Sequence, residues 1–294
     1  MSLQQLESLI QKLRAVPTDP TATFQRRRGA MEKAAFRLDA DIKAQAVSAN
    51  GVPAEWITAP GADAGRNLLY LHGGGYTIGS IKTHRCLAGW ISRAAHARVL
   101  IIDYRLAPEH PFPAAVEDSL AAYRFMLDNG AQPSRAAIAG DSAGGGLAVA
   151  ALLAIRDAKL PLPAAAACLS PWVDMEGSGE SMKTNADVDP MVASSNLADM
   201  ANAYLAGKDP RTPLASPLYA DLRGLPPMLI QVGTAEVLFD DSRRLAERAR
   251  QAGVEVSYEP WEHMIHVWQI FVPMLDEAKQ AVERIGGFIR EKTP

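Results

Sequence analysis

Residues 136–146, AAIAGDSAGGG, constrain the fold of this chain more than any other stretch. The apolar run Ala136, Ala137, Ile138 and Ala139 meets Gly140-Asp141-Ser142-Ala143-Gly144, and strong helix formers continue from Leu147 to Ile155. That order predicts a strand, a sharp turn and a helix, with one serine at the apex. A turn strained enough to expose a side chain needs residues without bulk on both sides of it, and Gly140 and Gly144 supply them. A helix beginning at the serine also offers unpaired N–H groups and the positive end of its dipole to developing negative charge. The same pentapeptide fits a glycine-rich turn with an incidental serine, so the rest of the chain has to decide between the two.

Strand and helix signals alternate around this turn with near-regular spacing, which predicts an α/β fold with a mainly parallel sheet covered by helices on both faces. Strands are expected at 67–71, 98–104, 136–140, 164–170, 227–232 and 254–258, with helices at 83–95, 113–127, 241–252 and 274–290. Before them, Leu3, Leu6, Ile10 and Leu13 recur at helical spacing. Pro17 and Pro20 break that pattern, and a second amphipathic segment runs through Phe24, Met31 and Phe36. Asn50-Gly51 between two alternating runs signals a hairpin. Residues 176–221 interrupt the rhythm with their own helix at 195–205, too long for a connecting loop and more like an excursion over the strand ends. The expected organisation is N-terminal cap helices at 1–45, core at 46–175, a cap insertion at 176–212 and the remaining core at 213–294.

Thirty basic against 33 acidic residues leave a net charge of -3, which calls for neither nucleic acid nor an anionic membrane surface as partner. Arg26-Arg27-Arg28 is the one basic run, and it reads as a solvated helix face. Cys86 and Cys168 sit in apolar contexts and form no metal-binding spacing or disulfide framework. The N-terminal stretch is interrupted by Glu7 and glutamines where a signal peptide needs an apolar run, and no transmembrane-length run occurs. The expectation is a soluble cytoplasmic protein.

A second glycine feature, His72-Gly73-Gly74-Gly75, directly follows a strand. Acyl transfer by serine passes through a tetrahedral oxyanion, which needs backbone N–H groups free of obstructing side chains. Gly74 and Gly75 are the expected donors, with Gly73 a third candidate from the loop and Ala143 donating from the residue after the serine. A phosphate loop would need Lys and then Ser or Thr after Gly79, where Ser80-Ile81 stands instead. Among six histidines, His84 and His96 read as structural and His110 falls in a proline-rich loop. His263 and His266 follow the last strand, at the sheet edge where open α/β folds bind ligands. This H-x-x-H pair lacks the Glu and the separation of a zinc site. The acid that would orient an imidazole is sought after the strand ending at Val232, where Glu236, Asp240 and Asp241 are candidates. Position favours Glu236, and the latter two double as helix caps.

These motifs resemble the hormone-sensitive-lipase-like family of α/β-hydrolases, the microbial carboxylesterases. The resemblance covers most of the chain after residue 65. It includes HGGGY at 72–76, DYRLAPE at 103–109 with PFPAA at 111–115, GDSAGG at 140–145, Ser216-Pro217, Leu225-Pro226-Pro227 and Met264-Ile265-His266. The resemblance implies an eight-stranded sheet with a helical cap, and hydrolysis of short-acyl carboxylic esters by water through an acyl-enzyme without a cofactor or metal. It also selects His266 as base and, with Ser142, Glu236 and His266, gives the chain order expected of this fold. Most members with this pattern carry Asp-x-Leu-x-Asp where this chain has Glu236-Val237-Leu238-Phe239-Asp240, which keeps Asp240 as a second choice of acid. The 103–115 stretch reads as a proline-braced support beneath the serine turn.

Trp172, Met191 and Tyr204 are candidates for lining a substrate pocket, against ordinary packing. The exposed final strand offers an edge for a homodimer. Two rival readings remain: an amidase or metabolite-specific acyl hydrolase using the same residues, and a non-catalytic ligand receptor on the same fold.

Overall fold

The computed structural model describes residues 3–16, 19 and 21–294. Pro17 and Pro20, where the sequence predicts the break between the first helices, lie outside the described residues. Two helices, α1 (Leu3–Arg14) and α2 (Phe24–Ala34), precede an antiparallel hairpin of β1 (Lys43–Ala49) and β2 (Val52–Thr58) closed by Asn50-Gly51. The regular alternation follows: β3 (Asp63–Leu71), α3 (Ile81–Ala95), β4 (Ala97–Ile102), α4 (Ala114–Asp128), β5 (Ala136–Asp141), α5 (Ala143–Asp157) and β6 (Ala165–Leu169). An excursion then carries α6 (Ser181–Thr184) and α7 (Ser194–Leu205) before β7 (Met228–Gly233), α8 (Phe239–Gln251), β8 (Val256–Trp261) and α9 (Asp276–Lys292). Element boundaries fall within a few residues of the sequence expectation, and β1 begins just inside the segment assigned to the N-terminal helices.

The eight strands form one sheet in the order β1-β2-β4-β3-β5-β6-β7-β8, antiparallel at β1–β2–β4 and parallel from β4 to β8. On central β5 every residue is buried, and its two faces feed two cores. Ala136 and Ile138 join the core under α4, α5 and α8, while Ala137 and Ala139 join the one under α3 and α9. Period-two alternation between two apolar surfaces explains why the strand reads as a continuous apolar run rather than an alternating one.

Chain direction across the sheet reverses between β3, whose next strand lies on one side, and β5, whose next strand lies on the other. These two strands pair directly, Leu71 opposite Gly140, so the loops leaving them diverge from a common point at the carboxyl edge. That switch point is where open α/β sheets bind ligands. Among the described residues, no helix is long and apolar enough to cross a membrane.

Candidate active site

Ser142 occupies that switch point in a strained conformation, with φ 53° and ψ -121°. A non-glycine residue there persists only where its surroundings over-determine it. Close packing does so: a Cβ on Gly140 would lie 2.2 Å from Gly144 O, and one on Gly144 would lie 2.0 Å from Leu71 O. Ser142 N donates to Leu169 O at 2.8 Å, tying the turn to β6. The side chain emerges at the start of α5 and lines a cleft of about 720 Å³ together with Gly74, Gly75, His266, α2 and α7.

His266 meets Ser142 across this cleft. Its Nδ1 lies 2.9 Å from Glu236 Oε1 in a buried pair. A carboxylate only accepts, so Nδ1 carries the proton and Nε2 keeps a lone pair. In this conformation no hydrogen bond joins Ser142 Oγ to His266 Nε2, a contact that commonly tightens only on binding. Glu236 is held in turn, its Oε2 accepting from Ser170 Oγ at 2.7 Å and Gly233 N at 2.9 Å. Ser170 Oγ also accepts from Val267 N at 3.2 Å, which ties the acid's support to the histidine loop. Burial by itself would depress the His266 imidazole, but the charge and hydrogen bond of Glu236 outweigh it and hold the ring above its ordinary value.

The other candidates lie elsewhere. Asp240 accepts from Ser181 N at 3.0 Å and pairs with Arg243 at 3.0 Å, anchoring the excursion to α8. Asp241 caps the backbone, accepting from Val173 N at 2.9 Å and Asp174 N at 3.0 Å, and burial pushes its carboxyl up to about 8. His263 is exposed on the loop before His266. His84 is buried, as a structural reading requires, yet it also lines the cleft, with Nε2 3.2 Å from Asp141 Oδ2.

Peptide orientation decides which glycine amides are available, because C=O and N–H of a trans peptide point in opposite directions. Gly73 O is bonded to His72 Nδ1 at 2.7 Å, which leaves Gly74 N–H pointing the other way. Gly74 O accepts from Thr77 N at 3.1 Å and Ile78 N at 2.9 Å, which does the same for Gly75 N–H. Ser142 O accepts from Gly146 N and Trp172 N, leaving Ala143 N–H directed out of the start of α5. Gly73 departs from the expectation: its N–H donates to Asp141 Oδ1 at 3.1 Å, and a Cβ there would lie 2.2 Å from Asp141 Oδ2. It seats the glycine loop against the serine turn and is committed as a donor. Burial favours the neutral form of Asp141, but its hydrogen-bonding neighbours His84 and Tyr70 outweigh this and lower its carboxyl below the ordinary value.

Three further expectations need correction. Trp172 and Tyr204 do not reach the cleft: Trp172 is buried with Nε1 donating to Asp174 O, and Tyr204 stacks on Tyr76 with ring centres 3.8 Å apart. Both fill the core behind the glycine loop, whereas Met191 does line the cleft. The 103–115 stretch braces the glycine loop rather than the serine turn, through Tyr104 Oη to His72 O at 2.7 Å and Ala107 N to Tyr76 O at 2.8 Å. Arg28 is not a solvated side chain; its guanidinium is engaged with Thr77 O, Ala107 O and Glu109. Nothing in the sequence locates Met200, which packs so close to Gly75 that a Cβ there would lie 2.1 Å from its sulfur.

A mainly parallel sheet with a glycine loop after β3, a serine turn after β5, and a histidine after β8 paired with an acid after β7 defines an α/β-hydrolase. Residues 68–270 match the family described as alpha/beta hydrolase fold, and the chain belongs to it, in the hormone-sensitive-lipase-like branch. An esterase structure from the bacterial hormone-sensitive lipase family shares 54% identity with it at a TM-score of 0.97, covering 99% of both chains. An acetyl-hydrolase of Streptomyces hygroscopicus is 53% identical over 240 residues, 82% of this chain and 80% of that protein. An esterase of Acinetobacter venetianus is 35% identical over 254 residues, 86% of this chain and 84% of that protein.

Proposed function

We propose that this protein is a serine carboxylesterase acting on short-acyl esters through an acyl-enzyme intermediate. The observation that carries the reading is the buried 2.9 Å contact between His266 Nδ1 and Glu236 on the cleft that Ser142 lines. It fixes the tautomer in which Nε2 can accept a proton. Ser142 Oγ attacks the ester carbonyl as His266 takes its proton, and Gly74, Gly75 and Ala143 donate to the oxyanion. Protonated His266 is stabilised by Glu236 and gives its proton to the leaving alkoxide. Water, activated by the same imidazole, then hydrolyses the acyl-enzyme and regenerates the serine.

The short-acyl preference is supported by the apolar side chains of the cap that line the cleft, Met191, Leu197 and Met200, of which Met200 packs against Gly75 of the glycine loop, and by the acetyl-hydrolase name of one relative. Assays on acetate, butyrate and palmitate esters of one alcohol, beside the matching acetamide, test this. Fastest turnover on acetate or butyrate is expected. Faster turnover on palmitate overturns the chain-length reading, and faster turnover on the acetamide makes the protein an amidase. A second copy pairing along the exposed β8 edge and a cytoplasmic location complete the proposal.

A further inference from the structure

Helix α2 buries none of its residues, so polar contacts rather than apolar burial seat it over the cleft. Two of its side chains, four positions apart and therefore on one face, reach the segment behind the oxyanion loop. Glu32 accepts from Ser80 Oγ at 3.0 Å and pairs with Lys82 at 3.2 Å, gripping the start of α3. Arg28 makes the larger set. Its Nε donates to Thr77 O at 2.7 Å and its Nη2 to Ala107 O at 2.8 Å, while Nη1 and Nη2 take the two oxygens of Glu109 at 3.0 and 2.7 Å. The neighbouring Arg27, Ala30 and Met31 wall the cleft itself.

These contacts converge on one carbonyl. Opposite Thr77 O, across the same peptide, is Ile78 N–H, which donates to Gly74 O at 2.9 Å. Opposite Gly74 O is the Gly75 N–H that the proposed mechanism uses. Beside it, Ala107 N donates to Tyr76 O at 2.8 Å, and Thr77 N–H, opposite that oxygen, donates to Gly74 O at 3.1 Å. Arg28 steadies this second path only by holding the Ala107–Pro108 peptide in place through Ala107 O, because that peptide has no N–H to pass the bond on. A guanidinium at the head of such a chain fixes the peptide planes and, because hydrogen bonds in series polarise one another, strengthens the terminal donor. We propose that Arg28 is a positioning residue for the oxyanion hole: through the Thr77 and Gly74 peptides it orients and polarises Gly75 N–H, and it couples the seating of α2 to the strength of that donor. This rests on the esterase reading above.

The test compares Arg28→Ala and Arg28→Lys with the wild type on p-nitrophenyl acetate, and measures inhibition by butylboronic acid, which forms a tetrahedral anion on an active-site serine. Outright removal of an oxyanion donor costs about a hundredfold or more in kcat, so a donor left in place but loosened should cost about tenfold. Arg28→Ala should lose that much in kcat with KM nearly unchanged, lose boronate affinity by a matching factor, and regain part of kcat with added methylguanidinium. Arg28→Lys should fall between, since an ammonium cannot span the three acceptors that the planar fork does. If Arg28→Ala does not fold, Arg28→Lys decides. Folded variants with wild-type kcat and boronate affinity, or with changes confined to KM, overturn the proposal. Ser142→Ala in the same assay keeps the two questions apart: residual hydrolysis there overturns the esterase reading itself, whereas an inert Ser142→Ala beside unaffected Arg28 variants overturns only the role of Arg28.

Discussion

Replacing Glu236 by Gln perturbs the site at its most constrained point. The carboxylate accepts three hydrogen bonds, from His266 Nδ1 through Oε1 and from Ser170 Oγ and Gly233 N through Oε2. A glutamine can satisfy only one side. With its NH2 toward His266, Nδ1 must become the acceptor, and Nε2 then carries the proton and cannot serve as base. With its oxygen toward His266, the NH2 faces the buried Gly233 N–H, donor against donor, at a cost of about 1–3 kcal/mol. Both arrangements also lose the charge that stabilises the imidazolium. At 2.9 Å and an effective dielectric of about 20, that attraction is worth about 6 kcal/mol. At about 1.4 kcal/mol per tenfold, the ceiling is roughly ten-thousandfold in kcat, the size seen when a triad acid is replaced by its amide elsewhere. Asp240→Asn is the comparison, because Asp240 faces Ser181 and Arg243, and its kcat should stay within several-fold of wild type. Both variants are assayed for kcat on p-nitrophenyl acetate, with circular dichroism to establish folding. If Asp240→Asn is crippled while folded Glu236→Gln keeps a tenth of wild-type turnover, the reasoning is refuted.

Three further predictions concern the same machinery. Because Glu236 overcomes burial and raises His266 above 6.5, and because the base must be neutral, kcat/KM should rise with pH with a midpoint above 6.5. A wild-type midpoint below that value contradicts the assignment, and the residual activity of Glu236→Gln should have its midpoint lower. Ser170→Ala leaves Glu236 Oε2 with one donor fewer and Val267 N without its acceptor, so kcat should drop about tenfold, the kinetic equivalent of 1–2 kcal/mol; unchanged kcat would show that the support is dispensable. Gly75→Ala places a Cβ 2.1 Å from Met200 Sδ at a φ of +59°. It should lose activity, and adding Met200→Ala should restore part of it, because the clash is with the flexible end of a side chain while the backbone strain remains.

What could be read from the sequence divides by the range of the interaction that decides it. The strand, turn and helix around Ser142 are local, and the small residues at Gly140 and Gly144 are required by neighbours only a strand away, so residue type alone reveals them. The hairpin at Asn50-Gly51 is similarly local. Glu236 is favoured by its distance from the strand end, but its choice over Asp240 needs the three-dimensional return of Ser170 and Gly233. Gly73 is indistinguishable in sequence from Gly74 and Gly75, and only the direction of its N–H toward Asp141 separates it. Trp172 and Tyr204 are aromatic residues near the right elements, and their side chains turn into the core behind Tyr76. Arg28 reads as one of three like charges, and its carbonyl partners, Thr77 and Ala107, leave no trace in side-chain identity.

The central claim is that Ser142 is the nucleophile. Treating the protein with a fluorophosphonate and locating the adduct by peptide mass spectrometry, with ester hydrolysis followed in the same samples, tests it most directly. A single adduct on Ser142 that forms in step with the loss of activity, and an Ser142→Ala chain that takes no label and has lost roughly six orders of magnitude in kcat, is the predicted result. Labelling at another residue, or an Ser142→Ala chain that keeps even a tenth of wild-type turnover, contradicts it.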